Sequence, residues 1–125
     1  MIRSIAFASP VIAMIYTTAV AQDAGGSGQI VFNTYCRQCH SIREGDNRLG
    51  PSLHGIFGKE AGKVKGYANY SGSLQQNVTW DEATLDQFIT DAESIAPNTN
   101  MIYPGVADAT KRKKIIDFLK SNGAQ

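Results

Sequence analysis

The stretch YCRQCH, residues 35–40, limits the possible folds of this chain more than any other part of its sequence. Two cysteines are separated by two residues, and His40 follows the second cysteine directly. A structural zinc site would need two further ligands, which such sites usually take from a second Cys or His pair. A thioredoxin-like redox dithiol requires a βαβ pattern, and the sequence contains none. A disulfide would close a very small loop and leave His40 without a role.

The Cys-x-x-Cys-His spacing is also that of covalent haem attachment, which gives a role to all three side chains. The two thiols add to the vinyl groups of one porphyrin, and the histidine that follows binds the iron. We therefore predict one haem c per chain, attached to Cys36 and Cys39, with His40 as the proximal axial ligand.

The pattern of apolar residues predicts an all-α chain with a few short helices and long loops. A first helix runs from Gly28 into the cysteine motif. A second helix begins with a capping box formed by Thr79 and Glu82, and a third follows the N-cap residue Asp108. The segment 41–79 is a longer loop than compact domains usually contain. A large apolar cofactor would fill the core that so much loop leaves open. The residues predicted to be buried in the helices are Ile30 or Val31 with Phe32 and Tyr35, then Leu85, Phe88, Ile89 and Ala92, and finally Ile115, Phe118 and Leu119.

The N-terminal residues 1–21 have the features of a cleaved export signal. Arg3 is followed by an apolar run that contains Pro10 and ends at Ala19-Val20-Ala21, which fits the small-x-small cleavage rule. The run is short for a membrane span, and an uncleaved anchor helix is the alternative. We predict cleavage near Ala21, a periplasmic location and no stable membrane insertion.

The remaining chain is long enough for one domain only. We assign residues 22–27 to a flexible lead and residues 28–122 to the domain. Without Arg3 the basic and acidic side chains balance, so no net charge favours nucleic acid as a partner. The basic run KRKK at 111–114 is interpreted as a solvated helix face.

Few residues in the predicted mature chain are suited to a sixth iron ligand. Beyond the motif, its only histidine is His54 and its only methionine is Met101. Met101 lies in a loop bounded by Pro97 and Pro104-Gly105, far from His40 in sequence. A thioether ligand raises the potential of haem iron. We predict Met101 as the sixth ligand, with His54 or an open site as alternatives.

Taken together, residues 28–119 resemble the class I c-type cytochromes of the mitochondrial and soluble bacterial type. The similar motifs are CRQCH, GPSLHGIFG, PNTNMIY, and the pair Gly28 and Phe32 opposite Ile115 and Phe118. The resemblance implies the small cytochrome c fold wrapped around one covalent haem. It also implies that the Pro51 carbonyl accepts a hydrogen bond from His40, and that Thr99 lies beside the Met101 ligand. Tyr70 and Trp80 would hydrogen-bond a buried haem propionate, with ordinary core packing as the alternative.

The sequence departs from the family pattern at several positions. Lys59 replaces the arginine usual near the propionates and lacks its planar fork. Phe88 replaces the tyrosine common near the methionine ligand. Glu93, Ser94 and Asn100 lie where mitochondrial proteins carry lysines, so we expect partner binding to depend only weakly on salt.

The function that the resemblance implies is one-electron transport by a soluble periplasmic carrier. It would be a monomer, not an enzyme, that binds redox proteins transiently, for example in a respiratory chain. One alternative is a haem enzyme or gas-binding protein with a labile sixth ligand. The other is a bis-His carrier that uses His54.

Overall fold

The computed structural model describes residues 24–74 and 77–122, and the predicted export signal and its cleavage site lie outside these ranges. The described helices are α1 (Ala24–Tyr35), α2 (Glu82–Thr90) and α3 (Ala109–Asn122), and a short 3₁₀ helix covers Ala92–Ser94. Within the described ranges no strand is present, apart from an isolated antiparallel bridge between Glu60 and Thr79. The predicted all-α class is confirmed. No helix in these ranges is long and apolar enough to span a membrane.

Helix α1 begins at Ala24, four residues before the predicted start at Gly28. It therefore includes residues 24–27, which the sequence predicted as part of a flexible lead, and this corrects the prediction. Glycine and serine are poor helix formers, so local preference indicated a loop. Helix α1 as a whole packs against α3, and tertiary packing supplies most helical stability in proteins.

The crossing of α1 and α3 forms the centre of the core, as the resemblance implied. The Phe32 and Phe118 rings lie 5.3 Å apart between centroids. Ile115 is fully buried beside them. A Cβ atom at Gly28 would lie 2.7 Å from the Lys114 carbonyl oxygen, so only glycine permits this close approach. Burial of each large apolar side chain contributes about 1.5–3 kcal/mol to folding.

Helix α2 is capped by residues other than those predicted. Asp81 is the N-cap residue, and its carboxylate accepts a hydrogen bond from the Thr84 backbone N–H at 2.8 Å. The Thr84 hydroxyl in turn accepts from the Asp81 N–H at 3.0 Å. The predicted box of Thr79 and Glu82 is wrong, because the helix begins at Glu82, which places Asp81 at the N-cap and Thr84 at the third helical position.

The apolar face of α2 was predicted correctly. Leu85 and Ile89 are buried, and Ala92 is buried in the 3₁₀ helix that follows. Phe88 is partly buried and packs on Trp80, with 4.9 Å between ring centroids. This face joins the loop that precedes α2 to the core.

The long segment between α1 and α2 contains no helix in its described residues, as predicted. Backbone hydrogen bonds join the middle of this segment to its C-terminal end. Gly58 N–H donates to the Trp80 carbonyl at 2.8 Å, and Trp80 N–H donates to the Lys59 carbonyl at 2.9 Å. These bonds close residues 58–80 into a loop and hold Trp80 next to Lys59.

The start of α3 is also as predicted. The Asp108 carboxylate accepts hydrogen bonds from the backbone N–H groups of Thr110 and Lys111. This satisfies donors that have no partner inside the helix. The predicted end at Gly123 lies outside the described residues.

Candidate haem site

The Cys-x-x-Cys-His motif lies at the C-terminal end of α1. Cys36 N–H donates to the Phe32 carbonyl at 2.8 Å, and His40 N–H donates to the Cys36 carbonyl at 2.9 Å. These bonds continue the helical turn through the motif, so the cysteines and the histidine occupy adjacent turns. Both thiols are free and partly buried. Burial, followed by the proximity of Cys39, raises the pKa of Cys36 to about 12.

The His40 imidazole is buried and oriented by one hydrogen bond. Its Nδ1 atom lies 2.8 Å from the Pro51 carbonyl oxygen. Because a carbonyl only accepts, this contact places the proton on Nδ1 and leaves the Nε2 lone pair free to bind a metal. Burial lowers the pKa of His40, against the opposing effect of the Pro51 bond. The ring is therefore neutral at neutral pH, which is the form that ligates iron.

Gly50 packs against the His40 ring. This contact was not predicted from the sequence. A Cβ atom at Gly50 would lie 2.2 Å from the His40 Cε1 atom and 2.8 Å from Nε2. Gly50 N–H also donates to the Cys39 carbonyl at 2.8 Å, which joins this turn to the cysteine motif. The signal in the sequence was the glycine directly before Pro51. Only the fold shows what that glycine contacts.

The loop that carries Met101 is held by side-chain hydrogen bonds. Thr99 Oγ1 accepts from the Met101 N–H at 3.2 Å, so Thr99 lies beside Met101. Asn98 has a positive φ of 59° and turns the chain before it. Asn100 Nδ2 donates to the Asn69 carbonyl at 2.8 Å, which attaches this loop to the long loop. Met101 itself is partly buried.

Tyr70 and Trp80 both keep a hydrogen-bond donor available. Tyr70 Oη accepts from the Val64 N–H at 3.1 Å, and its own proton has no acceptor within the described ranges. The Trp80 indole is buried against Phe88, and its N–H likewise has no acceptor there. Burial raises the pKa of Tyr70, so its hydroxyl stays protonated. Lys59 is exposed and adjacent to Trp80 through the backbone bond described above.

His54 lies on a different segment from Met101. Its Nδ1 atom is 3.1 Å from the carbonyl oxygen of Ile42, a residue that follows His40 by two positions in the sequence. Its backbone N–H donates to Ser52 Oγ at 3.2 Å. These contacts fix His54 in the turn that follows the cysteine motif. In the part of the chain described, no group of three His, Cys, Asp or Glu side chains is arranged as a metal site.

The residues present fit a covalently attached haem. Two thiols on adjacent turns precede an imidazole whose Nδ1 is already bonded and whose Nε2 is free. No family model matches the chain. A cytochrome c2 from Blastochloris viridis is 37% identical over 98% of this chain and 95% of that protein. The chain belongs to the class I c-type cytochromes.

Further relatives agree with this assignment. Cytochrome c2 iso-2 from Magnetospirillum molischianum is 34% identical over 70% of this cytochrome and 91% of that protein. The solved structure of cytochrome cH from Methylobacterium extorquens matches with a TM-score of 0.69 at 36% identity, covering 78% of this chain and 97% of that one. The predicted resemblance, fold and haem c cofactor are confirmed. Members of the family carry one covalent haem c and are electron carriers rather than enzymes.

Proposed function

We propose that this cytochrome is a soluble periplasmic one-electron carrier, with haem c attached at Cys36 and Cys39 and with His40 and Met101 as axial ligands. The observation that carries the proposal is the 2.8 Å contact between His40 Nδ1 and the Pro51 carbonyl, directly after the two free thiols. A haem c bound here supplies a reversible one-electron couple at its iron.

On the proximal side, the chain holds His40 in one tautomer and one orientation. The Pro51 carbonyl accepts a hydrogen bond from Nδ1–H, which increases the basicity of Nε2. Gly50 lies against the ring, where any larger residue would displace it. With haem bound, these contacts would restrict the movement of His40 and so keep the reorganisation of the protein during electron transfer small.

On the distal side, the contacts favour Met101 over His54. The Thr99 and Asn100 hydrogen bonds hold the backbone around Met101 and attach it to a second loop. His54 is bonded to Ile42 in the turn that follows the proximal ligand. A thioether stabilises ferrous iron and raises the potential, which suits a carrier rather than an oxygen-activating site.

The propionate side is assigned to Tyr70 and Trp80, with Lys59 next to them. A buried carboxylate is costly unless it is hydrogen-bonded or paired. Both aromatic residues offer a donor that no described residue uses, and the partly buried Tyr70 stays protonated. We assign them the role of binding a propionate.

The surface near Met101 suits brief contact with redox proteins. Ile102 is 98% exposed directly after the proposed ligand. Glu93, Ser94 and Asn100 are also exposed, and none of them is basic. We propose transient complexes of a monomeric carrier, formed through a small interface and only weakly sensitive to salt.

The matched variants Met101→Ala and His54→Ala test the ligand assignment. The ferric spectrum of Met101→Ala should lose the weak sulfur-to-iron band, and its reduction potential should fall. His54→Ala should keep both. The reverse pattern would support a bis-His carrier. Rapid and tight binding of carbon monoxide to the native ferrous protein would support the haem enzyme or gas-binding alternative.

A further inference from the structure

A carbonyl in the last turn of helix α2 receives two hydrogen bonds from the chain beyond Met101. Tyr103 Oη donates to the Ile89 carbonyl oxygen at 2.8 Å. The Val106 backbone N–H donates to the same oxygen at 2.9 Å. The last carbonyls of a helix have no partner inside it. Here that need is met by the segment that follows the proposed ligand.

The backbone of this segment is shaped to lie against α2. Gly105 has a φ of 80°, a conformation that favours glycine. A Cβ atom at Gly105 would lie 2.1 Å from the Thr90 carbonyl oxygen. Val106 is buried in the core immediately afterwards. Residues 103–106 are therefore packed tightly on the end of α2, and Tyr103 is the attachment point nearest to Met101 on its C-terminal side.

The contacts on the N-terminal side of Met101 are more exposed to water. The Asn100 amide that bonds the Asn69 carbonyl belongs to an exposed residue, whereas Tyr103 is partly buried. Burial, followed by the proximity of Cys36, raises the pKa of Tyr103 to about 12, so its hydroxyl remains a donor. Phe88, next to Ile89, has no hydroxyl to contribute on this side.

We propose that Tyr103 is a positioning residue for the sixth ligand: its hydroxyl bond to the Ile89 carbonyl holds the segment after Met101 on α2 and so keeps Met101 in its ligating position. This inference rests on the proposed function, since it takes Met101 as the ligand. Without the Tyr103 bond, the next attachment to Ile89 is Val106, five residues after Met101. Met101 then leaves its position more often, and an external ligand competes more easily.

The test compares Tyr103→Phe with Ser121→Ala in the holoprotein. Ser121 Oγ donates to the Phe118 carbonyl at 2.7 Å, a side-chain to backbone bond at the end of α3 and outside the Met101 loop. Imidazole is titrated into the ferric proteins while the sulfur-to-iron band is followed. Tyr103→Phe should bind imidazole about 3- to 10-fold more tightly than the native protein, since one hydrogen bond holding Met101 is lost. It should also lose the band at a lower temperature. Ser121→Ala should match the native protein in its imidazole affinity.

Met101→Ala separates this inference from the proposed function. If Met101→Ala binds imidazole much more tightly than the native protein while Tyr103→Phe does not, Met101 remains the ligand and the role of Tyr103 is wrong. If Met101→Ala behaves like the native protein, the ligand assignment itself is wrong. Hydrogen exchange on the native protein gives a readout that needs no variant. Saturating imidazole should speed exchange of the Val106 amide, and unchanged exchange would contradict the proposal.

Discussion

Gly50 lies so close to the His40 imidazole that a Cβ atom there would be 2.2 Å from Cε1. The same turn provides the Pro51 carbonyl that bonds Nδ1 at 2.8 Å. Two adjacent residues thus contact the ring of His40, the proposed proximal ligand, one through its missing side chain and one through its carbonyl. The orientation of His40 is therefore fixed by neighbouring residues of the protein.

We expect Gly50→Ala to displace the imidazole. Overpacking of a tight site costs about 1–3 kcal/mol, and the displaced ring cannot keep its Pro51 bond. The free energy of unfolding should fall, and the visible spectrum of the holoprotein should change with it. Gly45→Ala is the control, because a Cβ atom at Gly45 meets nothing within 4 Å, although a φ of 72° would be strained for alanine. It should lose some stability and keep the native spectrum, and an altered spectrum in both variants would argue against a specific role for Gly50.

The N-cap of α2 should make stability depend on acid. The Thr84 backbone N–H, followed by the Thr84 hydroxyl, holds the pKa of Asp81 below its ordinary value of 3.8. A carboxyl whose pKa is lowered by folding stabilises the protein above the unfolded-state pKa, and this contribution is lost as pH falls through the folded-state pKa. At pH values below about 4, the thermal unfolding midpoint of the native protein should therefore fall. It should fall more steeply than that of Asp81→Asn, whose side chain caps the helix without titrating.

Substitutions at neutral pH distinguish the observed cap from the predicted one. Asp81→Ala should lower the unfolding midpoint, whereas Thr79→Ala should leave it nearly unchanged. If both variants lowered the unfolding midpoint equally, the result would support the predicted capping box of Thr79 and Glu82.

Arg112 should be the charged residue most important for stability in α3. Its side chain is only 12% exposed and bonds Asp86 at 2.7 Å, and it also donates to the Val106 and Ala107 carbonyls at 3.0 Å and 2.8 Å. Arg112→Lys removes the planar fork that makes these bonds together. Loss of hydrogen bonds from a charged group costs about 1.5–3 kcal/mol, which urea unfolding would measure. Lys113→Ala, which breaks an exposed pair with Asp117, is the control and should have little effect.

Local chemistry explains the parts of this cytochrome that were predicted from its sequence. The first helix leads directly into the turn that carries the cysteine motif, and Asp108 caps α3 through the next few residues. The apolar face of α2 follows from helical periodicity alone. These features depend on residues within a few positions of each other, so they can be predicted from the local sequence pattern.

The features that were missed depend on contacts between distant segments. Helix α1 extends to Ala24 despite its glycines, because it packs on α3. The α2 cap is an exception, because the box of Asp81 and Thr84 is local, and only the observed start of the helix at Glu82 distinguishes it from the predicted box. The roles of Gly50 and Tyr103 require knowledge of which backbone atoms lie beside them. Periodicity and capping preferences hold no information on such distances.

Covalent attachment at Cys36 and Cys39 is the central claim, and the intact mass of the denatured protein tests it most directly. The protein would be produced by export in a host with working haem-attachment machinery, and its free thiols would be titrated with an alkylating reagent. We expect the mass of the polypeptide plus one haem, no alkylated cysteine in the native sequence, and loss of one link in each of Cys36→Ala and Cys39→Ala. A haem-free mass with both cysteines alkylated would contradict the account.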